Sequence, residues 1–344
     1  MNILVTGGAG YIGSHTCVQL LIAGHTVTVL DNLSNSSSES LSRVEKITGR
    51  NVTFVCGDIL DSDSLHRLFS EATFDAVIHF AGLKSVNESM QNPLIYFQTN
   101  VGGTLNLLTA MKKFQVRQLV FSSTAAVYGE SVRLPAVEED PVSPISPYGD
   151  SKLAVEKVLT AVVAVDPAWS IAILRYFNPV GAHPTGLIGE DPRNAPSNLL
   201  PICLDTALGR RDVLPIYGDD YATSDGTGVR DFVHVMDLAD GHVAALNYLE
   251  RTGVGTCATF NLGTGMGVSV LCMVRAVETV TKTQIKVQVL PRRIGDIAAS
   301  FADATKAEKL LRWRARRTVE DMCRDAWTWR SLNPMGFGVR ESAS

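Results

Sequence analysis

Short apolar runs alternate with amphipathic stretches along the first half of the chain. The run at residues 2–6 leads into a glycine-rich turn, then into apolar residues at helical spacing, and then into a second apolar run ending at Asp31. Further apolar runs end at Asp58, Gly82 and Thr124, with helical stretches between them. Strands that alternate with helices form a parallel sheet covered on both faces. The pattern therefore predicts an α/β fold built on a doubly wound parallel sheet.

The pattern loosens from about residue 176, where turn-forming residues interrupt the apolar runs. A strand followed by a long helix is still predicted near residues 229–252. A loop-rich segment of this kind suits a smaller domain that surrounds a ligand. We expect two domains, at 1–175 and 176–344.

Composition narrows the class of protein. With 45% hydrophobic and 19% charged residues, the chain is typical of a globular soluble protein. The net charge of −4 gives no reason to expect a nucleic-acid or membrane partner. The one basic run, at 310–321, is predicted to be a solvated helix face.

Cysteine and histidine usage adds two expectations. The six cysteines show no CxxC spacing, and the chain opens on a strand-like run and not on a signal peptide. Reduced thiols and a cytoplasmic location are the natural interpretation. The seven histidines include no HExxH or comparable set, so no metal site is predicted.

The glycine-rich turn is the first candidate site. Gly8, Gly10 and Gly13 fit GxGxxG, while Gly7, Gly10 and Gly13 fit GxxGxxG. Such turns let the backbone approach a pyrophosphate at a helix start, as in Rossmann-type domains. Asp31 follows Gly13 by 18 residues and suits ribose hydroxyls, and its charge would repel a 2′-phosphate, which favours NAD over NADP. The alternative is a glycine turn that binds no ligand.

Tyr148 and Lys152 form the second candidate site. Ser146 can cap a helix whose first residue is Pro147, so Tyr148 and Lys152 share one face of its first two turns. The ammonium, the helix start and an oxidised nicotinamide would each lower the tyrosine pKa from about 10. Thr124, at the end of a predicted strand, could join a proton relay. The alternatives are an incidental pair on a surface helix and a hydroxyl that only caps or packs.

Nine stretches carry a resemblance to a known family. They are "TGGAGYIGSH", "DNLSNS", "GDI", "HFAGLKSV", "FSSTAAVYG", "SPYGDSK", "LRYFNPVGAHP", "GTGVRDFVHVMDLADGH" and "NLGTG". Together they resemble the extended short-chain dehydrogenases/reductases and, more narrowly, the UDP-glucose 4-epimerases, from residue 1 to about 335. In that family a tightly held NAD takes a hydride from sugar carbon 4, the 4-keto sugar rotates, and the hydride returns to the opposite face. The resemblance also implies that residues 229–252 return to an NAD-binding domain, that 176–344 binds the UDP-sugar, and that the chain forms a homodimer through a helix bundle.

The resemblance implies roles for individual residues. Tyr148 would be the catalytic acid/base, Lys152 would hold the nicotinamide ribose and tune Tyr148, and Thr124 would bridge Tyr148 and the sugar hydroxyl. The further residues implied for the cofactor are Gly7, Gly10, Tyr11, Ile12, Gly13, Asp31, Asn32, Asn35, Ser36, Asp58, Ile59, Phe80, Ala81, Gly82, Lys84, Asn100, Ser122 and Phe177. For Asp58, the specific hypothesis is a hydrogen bond from the adenine amino group, and the alternative is an ordinary turn aspartate.

A second set is implied for the substrate. Lys84 would lie near both cofactor and sugar. Asn178, Asn198, Arg230 and Arg293 would bind the diphosphate, Leu199 and Tyr217 would lie near the uracil, and Asp296 would accept from the uridine ribose. For each arginine the alternative is a surface ion pair.

Three positions bear on which reaction is run. Related dehydratases carry an Asp-Glu pair after the threonine, where this chain has Ala125 and Ala126. Alanine cannot transfer protons, so elimination is not expected and epimerisation is. Ser300 stands where narrow epimerases carry tyrosine, which predicts that UDP-N-acetylglucosamine is also accepted, unless Ser300 is only a small loop residue. The alternatives to an epimerase are an NAD-dependent oxidoreductase that releases NADH and a non-enzymatic NAD sensor.

Overall fold

The structure, a computed structural model, describes residues 1–130, 133–192, 198–293 and 295–338. Its strands in chain order are β1 (Asn2–Thr6), β2 (Thr26–Asp31), β3 (Thr53–Cys56), β4 (Ala76–His79), β5 (Gln118–Thr124), β6 (Ser170–Tyr176), β7 (Asn178–Val180), β8 (Leu214–Tyr217), β9 (Val229–Arg230), β10 (Phe232–His234), β11 (Thr256–Leu262), β12 (Val268–Ser269), β13 (Val287–Leu290) and β14 (Ala299–Ser300). Its α-helices are α1 (Tyr11–Ile22), α2 (Glu39–Thr48), α3 (Ser62–Glu71), α4 (Val86–Gln91), α5 (Pro93–Tyr96), α6 (Gly103–Lys113), α7 (Pro147–Val165), α8 (Leu199–Ala207), α9 (Val235–Thr252), α10 (Val270–Thr281) and α11 (Val319–Leu332). Two π-helices lie at Phe97–Gly102 and Ala307–Leu311, and a 3-10 turn lies at Ala125–Tyr128.

Seven parallel strands of the described chain form the large sheet, in the order β11-β6-β5-β4-β1-β2-β3. The chain runs outward from β1 through β2 to β3, and then resumes on the other side of β1 with β4. Such a reversal opens a crevice at the carboxyl ends of the strands, where ligands of this fold bind. The predicted Rossmann-type doubly wound sheet is confirmed.

Alternation along β1 explains why both faces of the sheet are covered. Ile3 and Val5 are fully buried on one face, in a cluster with residues of α1 and α9. Leu4 is fully buried on the other face, with residues of α3, α6 and α7. Burial of this much apolar surface on both sides fixes the strands in register and leaves their carboxyl ends as the accessible edge.

The second half of the chain contributes to both parts of the molecule. Helix α9 packs against α1, and β11 extends the large sheet by pairing with β6. The small sheets β7/β10, β9/β12/β14 and β8/β13 lie with α8, α10 and α11 in the remaining part. The predicted return segment at 229–252 thus covers α9 but stops short of β11, and the two domain bounds remain a prediction.

The basic run at 310–321 was wrongly predicted to be a helix face. The π-helix ends at Leu311, residues 312–318 are not helical, and α11 begins at Val319. Trp313 is buried, and its indole N–H donates to the carbonyl oxygen of Asp237 at 2.8 Å, so it anchors the segment between exposed arginines.

Among the helices in the described part of the chain, none combines the length and the apolar composition needed to cross a bilayer.

Candidate active site

The turn between β1 and α1 packs against neighbouring backbone so closely that its glycines cannot carry side chains. Gly7 has φ +71°, and a Cβ on it would lie 2.7 Å from the backbone nitrogen of Ala81. A Cβ on Gly13 would lie 2.3 Å from the carbonyl oxygen of Gly7. The N-cap of α1 is Gly10, which has no side chain to cap the first amides. This backbone cradle at a helix start fits the pyrophosphate of a dinucleotide.

Asp31 lies at the end of β2 and braces this turn. Its Oδ2 accepts from the Ala9 amide at 3.0 Å, and its Oδ1 accepts from the Ser36 hydroxyl at 2.8 Å. Asn32 donates to Asp58 Oδ2 at 2.8 Å, which joins the ends of β2 and β3. The structure thus brings together the residues predicted for the adenosine end of the cofactor, Asn35 included in the same loop.

The loop after β4 is tied to α7 by Asn100, which is buried in the π-helix Phe97–Gly102. Its side chain accepts from the Leu83 amide at 2.7 Å and donates to the Ser151 hydroxyl at 2.9 Å. A Cβ on Gly82 would lie 3.8 Å from Lys152 Nζ. π-Helical turns are rare and often mark functional sites. Here the turn, through Asn100, holds Leu83 and sets Gly82 near the lysine.

Helix α7 begins as predicted. The Ser146 hydroxyl accepts from the Gly149 amide at 3.2 Å, and Pro147 is the first helical residue. Lys152 is only 5% exposed, and its Nζ donates to the carbonyl oxygen of Ser122 at 2.9 Å. The Thr124 side chain lies close enough to the Tyr148 hydroxyl to favour its ionised form. The three predicted catalytic residues therefore meet at the carboxyl end of β5.

The electrostatics of this pair differ from the sequence expectation. Burial lowers the pKa of Lys152 to about 8, against a smaller upward effect of the Glu156 carboxylate. Burial also raises the pKa of Tyr148 above its usual value, and the hydrogen bond from Thr124 only opposes this. The expected lowering is therefore not produced by the chain alone, because desolvation penalises the phenolate more than these side chains stabilise it.

A buried ion pair below the site was missed by the sequence reasoning. Glu156 lies one helical turn beyond Lys152 and accepts from Arg175 Nη2 at 2.6 Å and Nε at 3.0 Å. Ser123 donates to the same carboxylate, and the Arg175 guanidinium stacks 4.9 Å from the Tyr128 ring centroid. The spacing of Tyr148, Lys152 and Glu156 at successive i+4 steps was the available signal.

The predicted nucleotide-binding residues of the second half form two groups. In the first, Arg230 lies 3.9 Å from Asp296, and the Arg293 guanidinium stacks 3.6 Å from the Tyr217 ring centroid. Ser300 is paired with Arg230 in the register of β14 and β9. These residues therefore line one region.

In the second group, Lys84 and Asn198 meet at Glu190, a residue that the sequence reasoning did not single out. Asn198 precedes Leu199, the first residue of α8, and exposed Asn178 begins β7. No motif marked Glu190: Asn198 lies 8 residues further along the chain, and Lys84 is separated from Glu190 by 106 residues.

Three predicted cofactor residues have side chains that the fold itself uses. Ile59 and Phe177 are buried in apolar clusters. The Tyr11 hydroxyl donates to the carbonyl oxygen of Gly181 at 2.7 Å. Contacts of these three, and of Ile12 in the first turn of α1, with a cofactor would come mainly from the backbone.

Comparisons with known proteins agree with this arrangement. The model of the NAD dependent epimerase/dehydratase family matches residues 3–263. A UDP-glucose 4-epimerase of Dictyostelium discoideum is 53% identical over 336 residues, which cover 98% of this chain and 97% of that protein.

Two crystal structures are similar over nearly the whole chain. The epimerase of Bifidobacterium longum in complex with NAD+ and UDP is 48% identical, with a TM-score of 0.94 over 98% of this chain and all of that one. The epimerase of Stenotrophomonas maltophila with bound NAD and formylated UDP-arabinopyranose is also 48% identical, with a TM-score of 0.94 over 97% of this chain and 99% of that one. This chain therefore belongs to the NAD dependent epimerase/dehydratase family and, within it, to the UDP-glucose 4-epimerases.

Proposed function

We propose that this chain interconverts UDP-glucose and UDP-galactose by inverting sugar carbon 4, with NAD as its cofactor. The observation that carries the proposal is the meeting of Tyr148, Thr124 and Lys152 at the end of β5, beside a glycine cradle that fits a dinucleotide. When bound, NAD supplies the acceptor and then the donor of the hydride at carbon 4. Because the redox state is restored at the end, no external oxidant is consumed.

The chain's own groups supply the proton chemistry. The Tyr148 phenolate takes the proton of the sugar 4-hydroxyl, through Thr124 or directly, and the Tyr148 hydroxyl formed in this way returns a proton after the sugar has turned. Lys152 is fixed by the Ser122 carbonyl oxygen, and its ammonium would stabilise the phenolate. The residues that follow β5 are Ala125 and Ala126, whose methyl groups cannot protonate a leaving group. Inversion is therefore favoured over elimination.

The second half of the chain holds the nucleotide while the sugar turns. Arg230 and Arg293 present charged donors suited to a diphosphate, and Asp296 presents an acceptor suited to ribose hydroxyls. Firm binding at the nucleotide and loose binding at the sugar would allow the 4-keto sugar to expose either face without leaving.

Two incubations with UDP-galactose, one without and one with added NAD, test the proposal. An epimerase that carries its own cofactor yields UDP-glucose without net NADH. A dehydrogenase forms NADH only when NAD is supplied, and a sensor forms no product. Either of the last two results would contradict the proposal.

We also propose that N-acetylated UDP-sugars are substrates. Ser300 is a small residue directly paired with Arg230, where a larger side chain would narrow the site. We expect Ser300→Tyr to lower conversion of UDP-N-acetylglucosamine by about tenfold or more, while UDP-galactose turnover changes by less than about threefold. The control is Ser300→Ala, which should keep both activities. A tyrosine at the neighbouring small residue Ser269 is not a suitable control, because the Ser269 side chain caps α10. Failure of the unmodified protein to form UDP-N-acetylgalactosamine would end this proposal.

Homodimer formation through helices is a further part of the proposal. The surface of α4, α5 and the adjoining π-helix exposes Met90, Leu94, Ile95 and Phe97, with Leu94 83% exposed. Contiguous exposed apolar residues of this kind mark association surfaces. Light scattering of the purified protein should give twice the mass of the chain, and Leu94→Asp should shift it toward the monomer. A cytoplasmic location is proposed from the six cysteines, which are all free thiols.

A further inference from the structure

Glu190 places a carboxylate where the proposed function puts anionic ligands. Its Oε1 accepts from Asn198 Nδ2 at 2.7 Å and lies 3.5 Å from Lys84 Nζ. The Glu190 side chain is only 10% exposed, whereas that of Lys84 is 52% exposed. A carboxylate this close to both donors occupies the hydrogen-bonding groups that the substrate would need.

The main chain at Glu190 is held in place, and the contacts of its side chain are polar and reversible. The carbonyl oxygen of Glu190 accepts from the Trp329 indole N–H at 3.2 Å. The preceding residue, Gly189, lies so close to Trp329 that a Cβ would be 2.4 Å from the ring. The carboxylate can therefore change partners by side-chain rotation, without movement of the backbone.

The charge of Glu190 also reaches the Tyr11 side chain. It adds to burial in raising the pKa of Tyr11, whose hydroxyl donates to the carbonyl oxygen of Gly181 at 2.7 Å. A diphosphate bound at Lys84 and Asn198 would be repelled by this charge at short range.

We propose that Glu190 is an internal anion that holds Lys84 and Asn198 in the substrate-free protein and yields both donors when a UDP-sugar binds. The inference rests on the proposed function, because Lys84 and Asn198 have a UDP-sugar to bind only if that function is correct. Glu190 is a positioning residue in this account. The charge of Glu190 keeps the two donors ordered between turnovers. It also lowers the affinity of the site for the anionic product, which favours product release.

The test compares UDP binding to the NAD-loaded protein and to its Glu190→Gln variant by titration calorimetry. The amide keeps the shape of the carboxylate and removes its charge, so we expect the variant to bind UDP about fivefold more tightly at low salt. The difference in UDP affinity between the parent protein and Glu190→Gln should become smaller at high salt, because ions screen the repulsion between the Glu190 carboxylate and UDP. The matched control is Glu139→Gln, which removes an exposed carboxylate 3.3 Å from Lys306 and should leave the UDP affinity unchanged.

A second variant separates displacement from a structural role. In a Lys84→Met background, Glu190→Gln should gain less affinity than in the parent protein, since the pair is already broken. Equal or weaker UDP binding by Glu190→Gln would overturn the inference, as would a lower melting temperature with unchanged affinity. If the parent protein neither binds UDP nor converts UDP-galactose, the proposed function fails instead.

Discussion

Replacement of Tyr148 by phenylalanine is expected to lower turnover of UDP-galactose by about 10³-fold, while NAD stays bound. The change removes only the Tyr148 hydroxyl, which lies beside the Thr124 side chain. Positioned acid–base groups contribute about 10²–10⁴-fold to enzymatic rates, and phenylalanine has no group that can exchange a proton. Steady-state assays, together with the absorbance of NAD released on denaturation, would measure both quantities.

The matched control is Tyr96→Phe. Tyr96 lies edge-to-face against Tyr148, with ring centroids 6.4 Å apart, but its hydroxyl accepts from the Ser85 amide and donates to Glu88. Loss of that hydroxyl should cost about 1 kcal/mol of stability and leave most of the turnover. Near-normal turnover of Tyr148→Phe would remove the acid/base assignment.

Replacement of Gly7 by alanine is expected to abolish NAD binding and, with it, epimerisation. The new Cβ would lie 2.7 Å from the Ala81 backbone nitrogen, which has no flexible end that could move aside. The positive φ of +71° adds a strain of roughly 1–2 kcal/mol for an L side chain. The measurement is the NAD content of the purified protein, with circular dichroism to establish that the variant is folded.

The Gly24→Ala variant separates the effect of backbone strain from the effect of disrupting the glycine turn between β1 and α1. Gly24 also has a positive φ, of +90°, but a Cβ there would meet nothing within 4 Å. This variant should be slightly less stable and keep its NAD. If Gly7→Ala retained NAD as well as Gly24→Ala does, the glycine turn would not be the pyrophosphate site.

The parts of the fold that were predicted from the sequence are those governed by local patterns. The runs ending at Asp31 and Thr124 became β2 and β5 with the expected ends, because period and turn residues are local properties. The start of α7 was predicted for the same reason, since a serine cap and a first-turn proline act within four residues.

The parts that were missed depend on contacts between distant positions. Glu156 of α7 meets Arg175 of β6, and Glu190 meets Lys84 over a separation of 106 residues. The i+4 spacing places Glu156 on the face of Tyr148 and Lys152, but no local pattern identifies the partner of either carboxylate. The pKa of Tyr148 was missed for a different reason. Its direction is set by how much water the surrounding side chains exclude, which a spacing of four residues does not reveal.

The position of β11 at the outer margin of the large sheet constrains how the polypeptide matures during synthesis. Until the ribosome has delivered residues 256–262, β6 presents a row of unsatisfied amides and carbonyls to its surroundings. The nucleotide-binding half, although first to emerge, therefore exposes the edge of β6 until β11 has been synthesised. A nascent chain halted near residue 180 would expose the edge of β6, and strands of other chains could pair with it.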